Sequence, residues 1–107
     1  MAPDELFASV VDALERGTGV TQSRMFGSPG LKVGGKVFAI LVKGKLVVKL
    51  PKEEVGALVA SGQGAYFDSG HGRPSKQWVA MEPNGPSGPS EWLSLAQEAR
   101  DFVASGR

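Results

Sequence analysis

The chain has 107 residues, 41% of them hydrophobic and 21% charged, a size and balance that specify one globular domain and exclude a disordered chain. It has no cysteine, which excludes disulfides, thiolate chemistry and zinc sites built on Cys, and a formal net charge of +1 argues against a strongly basic nucleic-acid binder. The opening "MAPDELFASVV" has no basic n-region and no run reaches the ~18 apolar residues that cross a bilayer, so a soluble cytoplasmic protein without signal peptide or membrane contact is expected.

Residues 4 to 16, "DELFASVVDALER", set Leu6, Phe7, Val10, Val11 and Leu14 on one stripe at helical spacing. Asp4 and Glu5 suit the positive end of that helix, and Gly17 and Gly19 stop it. "TGVTQSR" reads as a polar connection into "MFGSPG", where Gly27, Pro29 and Gly30 are turn formers. A β-meander follows: "LKV", the turn Gly34-Gly35, "KVFAILVK", a break at Gly44, and "KLVVKL". In the last strand Lys45, Val47 and Lys49 alternate with Leu46, Val48 and Leu50, giving one half-polar and one apolar face. The middle strand is apolar on both faces and so belongs inside the sheet.

Pro51 ends the meander, and "PKEEVGALVASG" predicts a short helix with Val55, Leu58 and Val59 on one side and Gly62 as its cap. A loop around residues 66 to 76 leads into the strand "KQWVAME", with Trp78 and Ala80 on one face and Val79 and Met81 on the other. "PNGPSGP" at 83 to 89 is a rigid loop, and Ser90 is placed to cap a final helix striped by Trp92, Leu95, Ala96, Ala99, Phe102 and Val103. The expected fold is α+β: one domain over residues 1 to 107, an antiparallel meander with N- and C-terminal helices and one short middle helix.

Four constellations invite a chemical reading. "GLKVGGK", Gly30 to Lys36, spells G-x-x-x-x-G-K, but Val37 stands where magnesium needs Ser or Thr, and the context is strand-turn-strand. The glycines therefore make a hairpin. His71, the chain's single histidine, lies among Asp68, Ser69 and Ser75, yet catalytic triads are assembled from separated segments and no G-x-S-x-G elbow is present. A solitary His without Cys or a second His also makes no metal site. Asp68 and Ser69 are expected to cap a turn with Gly70 and Gly72. At "RMFGSPG", Met25 and Phe26 plug the core while Arg24 pairs with a local acid, or else Arg24 holds an anion over a shallow groove. Of the aromatics Phe7, Phe26, Phe38, Tyr66, Phe67, Trp78, Trp92 and Phe102, most belong in the core, with Tyr66 and Trp78 the most exposed.

Charge is unevenly distributed. Arg24, Lys32, Lys36, Lys43, Lys45, Lys49 and Lys52 follow one another with no acid between them, while acids gather in the terminal segments. This is either a basic face for an anionic partner or, more commonly, a set of solvated lysines that block edge pairing. The lysine strand 45 to 50 carries no aromatic of its own, unlike a single-strand-binding surface.

Taken in order, "RMFGSPGLKVGGKVFAILVKGKLVVKLP", the "YFDSGHGRPSKQWV" stretch and a terminal helix opening with Trp92 resemble the TfoX N-terminal domain-like family, the Sxy-type domain of bacterial competence regulators. The similarity rests on Arg24-Met25-Phe26-Gly27, the Gly30 to Lys36 hairpin, "VFA", Phe67 and Arg73 to Trp78, and Ser75 departs from it where methionine is usual. No single one of these motifs is chemically diagnostic, and the specificity of the resemblance comes from their order. The resemblance implies a small α+β domain with a regulatory or protein-interaction role, a stand-alone member without the second domain of full-length regulators. It brings no catalytic residues, no cofactor and no metal, so the chain is expected not to be an enzyme. A protein partner is expected, and the candidate interaction surface comprises Arg24, Phe26, Lys45, Lys49, His71, Arg73, Lys76 and Trp78. The alternatives are weak nucleic-acid binding through the lysine-rich meander, towards which a looser similarity to the MmcQ/YjbR group points, or small-ligand binding at the 66 to 78 loop. The resemblance does not specify an oligomeric state.

Overall fold

The computed structural model describes residues 3–16, 19–25, 27–67, 75–82 and 89–105, the side chains of residues 25, 75, 76, 89 and 90 excepted. In chain order the elements are α1 (Pro3–Glu15), β1 (Val20–Met25), β2 (Ser28–Val33), β3 (Lys36–Val42), β4 (Lys45–Lys49), α2 (Lys52–Ala60), β5 (Gly64–Phe67), β6 (Ser75–Met81) and α3 (Pro89–Ala104). The strands form one six-stranded antiparallel sheet in the order β1-β2-β3-β4-β6-β5. The α+β class, the terminal helices and the short middle helix agree with the sequence reading. None of the described helices is long and apolar enough to cross a membrane.

Local chemistry explains each element. The α1 stripe buries Leu6, Phe7, Val10 and Leu14, each worth roughly 1.5–3 kcal/mol in burial. α3 runs alongside α1 and across β3 and β4, burying Trp92, Leu95, Ala96, Ala99 and Val103. α2 covers β5 and β6 and ends on Gly62 at φ +80°. There the Gln63 N–H donates to the Leu58 carbonyl and the Gly62 N–H to the Val59 carbonyl, closing the helix in a Schellman arrangement. All three helices contribute to a single core cluster against one face of the sheet.

Two tight turns set the meander. Gly34 and Gly35 take φ +59° and +80°, and Lys43 and Gly44 take φ +51° and +78°. Positive φ at both central residues is the type I′ geometry that matches strand twist. The first turn settles the "GLKVGGK" reading: it is a hairpin, with no helix behind it to meet a phosphate. Between β2 and β3 the register passes from Leu31↔Ala39 to Lys32↔Val37, leaving Phe38 unpaired. This bulge turns Phe38 to the helix side beside Ala39, and both are fully buried in the core.

Several expectations need correction. The supposed polar connection at 18 to 24 is largely β1, paired with β2 over six positions, and "SPG" lies within β2 rather than in a turn. Residues 66 and 67, read as the start of a loop, belong with Gly64 and Ala65 to the edge strand β5. The expected meander is present as β2-β3-β4, extended by β1, and β6 returns between β4 and β5. Finally, Ser90 lies inside α3, which begins at Pro89; proline's fixed φ and missing N–H suit the first helical position.

Candidate interaction surface

Strand register sorts the candidate residues between the two sides of the sheet. On β4, Leu46 and Val48 point to the helices, and Lys45, Val47 and Lys49 point away. The neighbouring strands extend this far face. Val47 lies between Ile40 of β3 and Ala80 of β6, while Lys49 is paired with Trp78. Directly opposed residues in an antiparallel pair hold their Cβ atoms ~4.5–5.5 Å apart. Trp78 and Lys49 are both half-buried, and Val47 at the centre is fully buried although it does not belong to the cluster beneath the helices.

Trp78 is positioned by unbroken pairing of β6 with β4, beside an irregularity in the pairing with β5. β5 pairs Tyr66 with Val79 and then Phe67 with Ser75, a register shift between Tyr66 and Phe67. On its other side β6 keeps the Lys49↔Trp78 pair, and the Leu50 N–H donates to the Gln77 carbonyl at 2.9 Å.

The basic tract is thereby folded onto one side. Lys32, next to the inward Leu31, shares the far face with Lys45 and Lys49. These lysines lie on β2 and β4, which are interior strands, and neither edge strand carries a lysine. Blocking of edge pairing therefore does not account for them. Lys45 forms an ion pair with Glu82 at 3.1 Å, with side chains 45% and 62% exposed; such a pair contributes less than about 1 kcal/mol. No described carboxylate pairs with Lys49.

The other candidates are not all brought to this patch. Arg24 is on β1, three strands from β4, on the helix side like Gln22, and its guanidinium donates to the Gly27 carbonyl at 3.3 Å rather than to an acid. Lys76 belongs to β6, but its side chain lies outside the described residues, as do Phe26, His71 and Arg73 and with them the readings of the 68 to 74 loop. Tyr66 is 41% exposed, on the helix side of β5 with its hydroxyl near Gly56 of α2. The sequence ranked Tyr66 and Trp78 as the most exposed rings, and Phe7, Phe38 and Trp92 are core as expected.

Nothing described converges as catalytic machinery. No group of three or more His, Cys, Asp or Glu able to hold a metal occurs among the described residues. Burial raises the Glu54 carboxyl on α2 above its usual range, and a hydrogen bond to Glu98 of α3 and the charge of that carboxylate add to the rise. Glu98 is exposed, and this pair lies on the helix side, away from the lysine face.

The family model described as the TfoX N-terminal domain matches residues 12–103. The match starts within α1 and ends within the last turn of α3, so it spans all six strands. No curated protein matches the chain.

Proposed function

The chain belongs to the TfoX N-terminal domain family, and from that premise we propose that it is a non-enzymatic cytoplasmic regulatory module that binds an acidic protein partner through the far face of its sheet. The observation that carries this reading is the Lys49↔Trp78 pair beside Val47, with Lys32 and Lys45 on the same face. An aromatic ring and aliphatic lysine stems supply contact area, and the ammonium groups supply attraction to carboxylates. Depletion of acids from the whole 24 to 52 tract favours an anionic partner over a neutral one.

A second reading is favoured by the same pair: a ring beside a lysine also suits a base and its phosphate. It is ranked lower because the net charge is only +1 and Lys45 is engaged by Glu82. The deciding experiment titrates the labelled chain with an acidic peptide and, separately, with duplex and single-stranded DNA at about 50 mM salt, where phosphate contacts are strongest. Binding of the acidic peptide, weakened by Lys49→Glu, supports the module. Binding of DNA alone with a steep salt dependence would transfer the assignment to nucleic acid, and silence toward every probe would sink both.

A further inference from the structure

On the opposite side from the lysine face, a groove of about 470 Å³ opens between α1 and the β1 end of the sheet. Phe7, Val11, Pro29 and Leu41 give it an apolar floor, and the carboxylates of Asp4, Asp12 and Glu15 stand on its lining with no cation among them. Glu15 accepts a hydrogen bond from the Gln22 side chain at 3.1 Å, which ties α1 to β1. Asp12 is paired with Arg16, but both side chains are more than 70% exposed (75% and 79%), so that partner is easily exchanged. Arg24, on the helix side of β1, donates to the Gly27 carbonyl.

The groove adjoins an edge strand of the sheet. β1 pairs with β2 over six positions without a bulge, contains neither proline nor lysine, and has no described strand on its outer side. Such an edge presents a row of free N–H and C=O groups to an extended segment. A strand added there would lie ~4.8 Å beyond β1 and send alternate side chains to the helix side, in line with Val20, Gln22 and Arg24 and beside the α1 carboxylates.

We propose that this edge and groove together bind an extended basic segment of a partner protein. The segment adds antiparallel to β1, and its alternate Lys or Arg side chains lay their aliphatic stems on the apolar floor and bring their charges to Asp4, Asp12 and Glu15. The charge of the groove commits it to a cationic occupant, the reverse of the lysine face, so the domain has two interaction surfaces of opposite sign. This site does not depend on the assignment of the lysine face.

The test is a ¹⁵N-resolved NMR titration of the chain with the peptide acetyl-Lys-Thr-Lys-Thr-Lys-Thr-Lys-amide and with its Glu-for-Lys counterpart. Expected are shifts at β1 and α1 amides with the lysine peptide alone, an affinity that falls as salt rises, and about tenfold weaker binding in the Asp4→Asn/Asp12→Asn/Glu15→Gln variant. A thermal melt checks the variant; should it lose its fold, Asp4→Asn and Asp12→Asn singly take its place, each expected to weaken binding about twofold. Glu53→Gln, an exposed neutralisation on α2 outside the groove lining, should leave the affinity unchanged. Unaltered affinity in the neutralised variants, shifts on β4 and β6 instead, or equal binding of the glutamate peptide would each overturn the proposal. So would salt-sensitive self-association of the chain without peptide that the neutralised variant abolishes, because the occupant would then be a second copy.

Discussion

Gly64 at the start of β5 lies directly opposite Met81 of β6, and the Met81 thioether occupies the place where a side chain on residue 64 would go. A Cβ there would lie 2.7 Å from the Met81 Sδ, 2.7 Å from a Val79 methyl and 3.3 Å from the Ala80 carbonyl oxygen. Met81 can bend, but β-branched Val79 on a paired strand cannot. Gly64→Ala is expected to cost about 1–3 kcal/mol through overpacking. Urea unfolding of the two proteins measures it, and a loss below ~0.5 kcal/mol would mean that β5 slides outward freely.

The same pair explains what the sequence did and did not make legible. α1, α3 and the β2–β4 hairpins announce themselves locally, through 3.6-residue stripes and paired turn residues such as Gly34-Gly35. β5 does not, because a four-residue strand beginning with glycine makes sense only once Met81 and Val79 fill the missing side chain's place. β1 is similarly hidden. "VTQSRM" is mostly polar, since an edge strand needs few core side chains, Val20 among them, and is held largely by backbone pairing. At the surface, the alternation of Lys45, Val47 and Lys49 was readable. The ring beside Lys49 was not, because Trp78 arrives from β6 after α2 and β5 have intervened. An aromatic and basic patch built across strands leaves no signature within either strand.

Trp92 holds the start of α3 to the end of β6. Its indole is 1% exposed and its Nε1–H donates to the Glu82 carbonyl at 3.1 Å. Phenylalanine keeps a ring but removes the donor and leaves a void, so Trp92→Phe should lower stability by about 2–4 kcal/mol. A calorimetric melt reads this directly. A Tm unchanged within a degree would show that the hydrogen bond and the volume are both dispensable.

Glu54 makes stability depend on pH. Burial and the Glu98 carboxylate raise its folded-state pKa above the unfolded value of 4.5, so the folded chain binds the proton more tightly than the unfolded one. This contribution to unfolding free energy therefore falls as pH rises from 4.5 through the folded pKa, and the penalty is complete above it. Glu54→Gln removes it. The variant should be more stable than the parent at pH 7, by a few tenths of a kcal/mol because solvent screens a mostly exposed pair, and the difference should vanish below pH ~4.5. Melts at several pH values test the sign. A variant less stable at pH 7 than at pH 4, relative to the parent, would contradict it.

Lys49→Met separates charge from packing on the far face. Methionine retains an apolar stem that can lie beside Trp78 and over Val47, and removes only the ammonium group. If the face serves only to solvate the sheet, the change should move stability by no more than ~0.5 kcal/mol, with no other consequence. If the face binds an anionic partner, stability is still conserved, but affinity for an acidic peptide drops and the slope of log affinity against log salt shrinks by one ion's share. For DNA that share is roughly one unit for each phosphate no longer neutralised. Trp78 fluorescence provides the local readout, because the Trp92 indole is buried beneath α3 and does not meet the ligand. An acidic peptide that binds without altering the emission lost in Trp78→Phe, and with equal affinity for Lys49→Met and parent, would remove this face from the function.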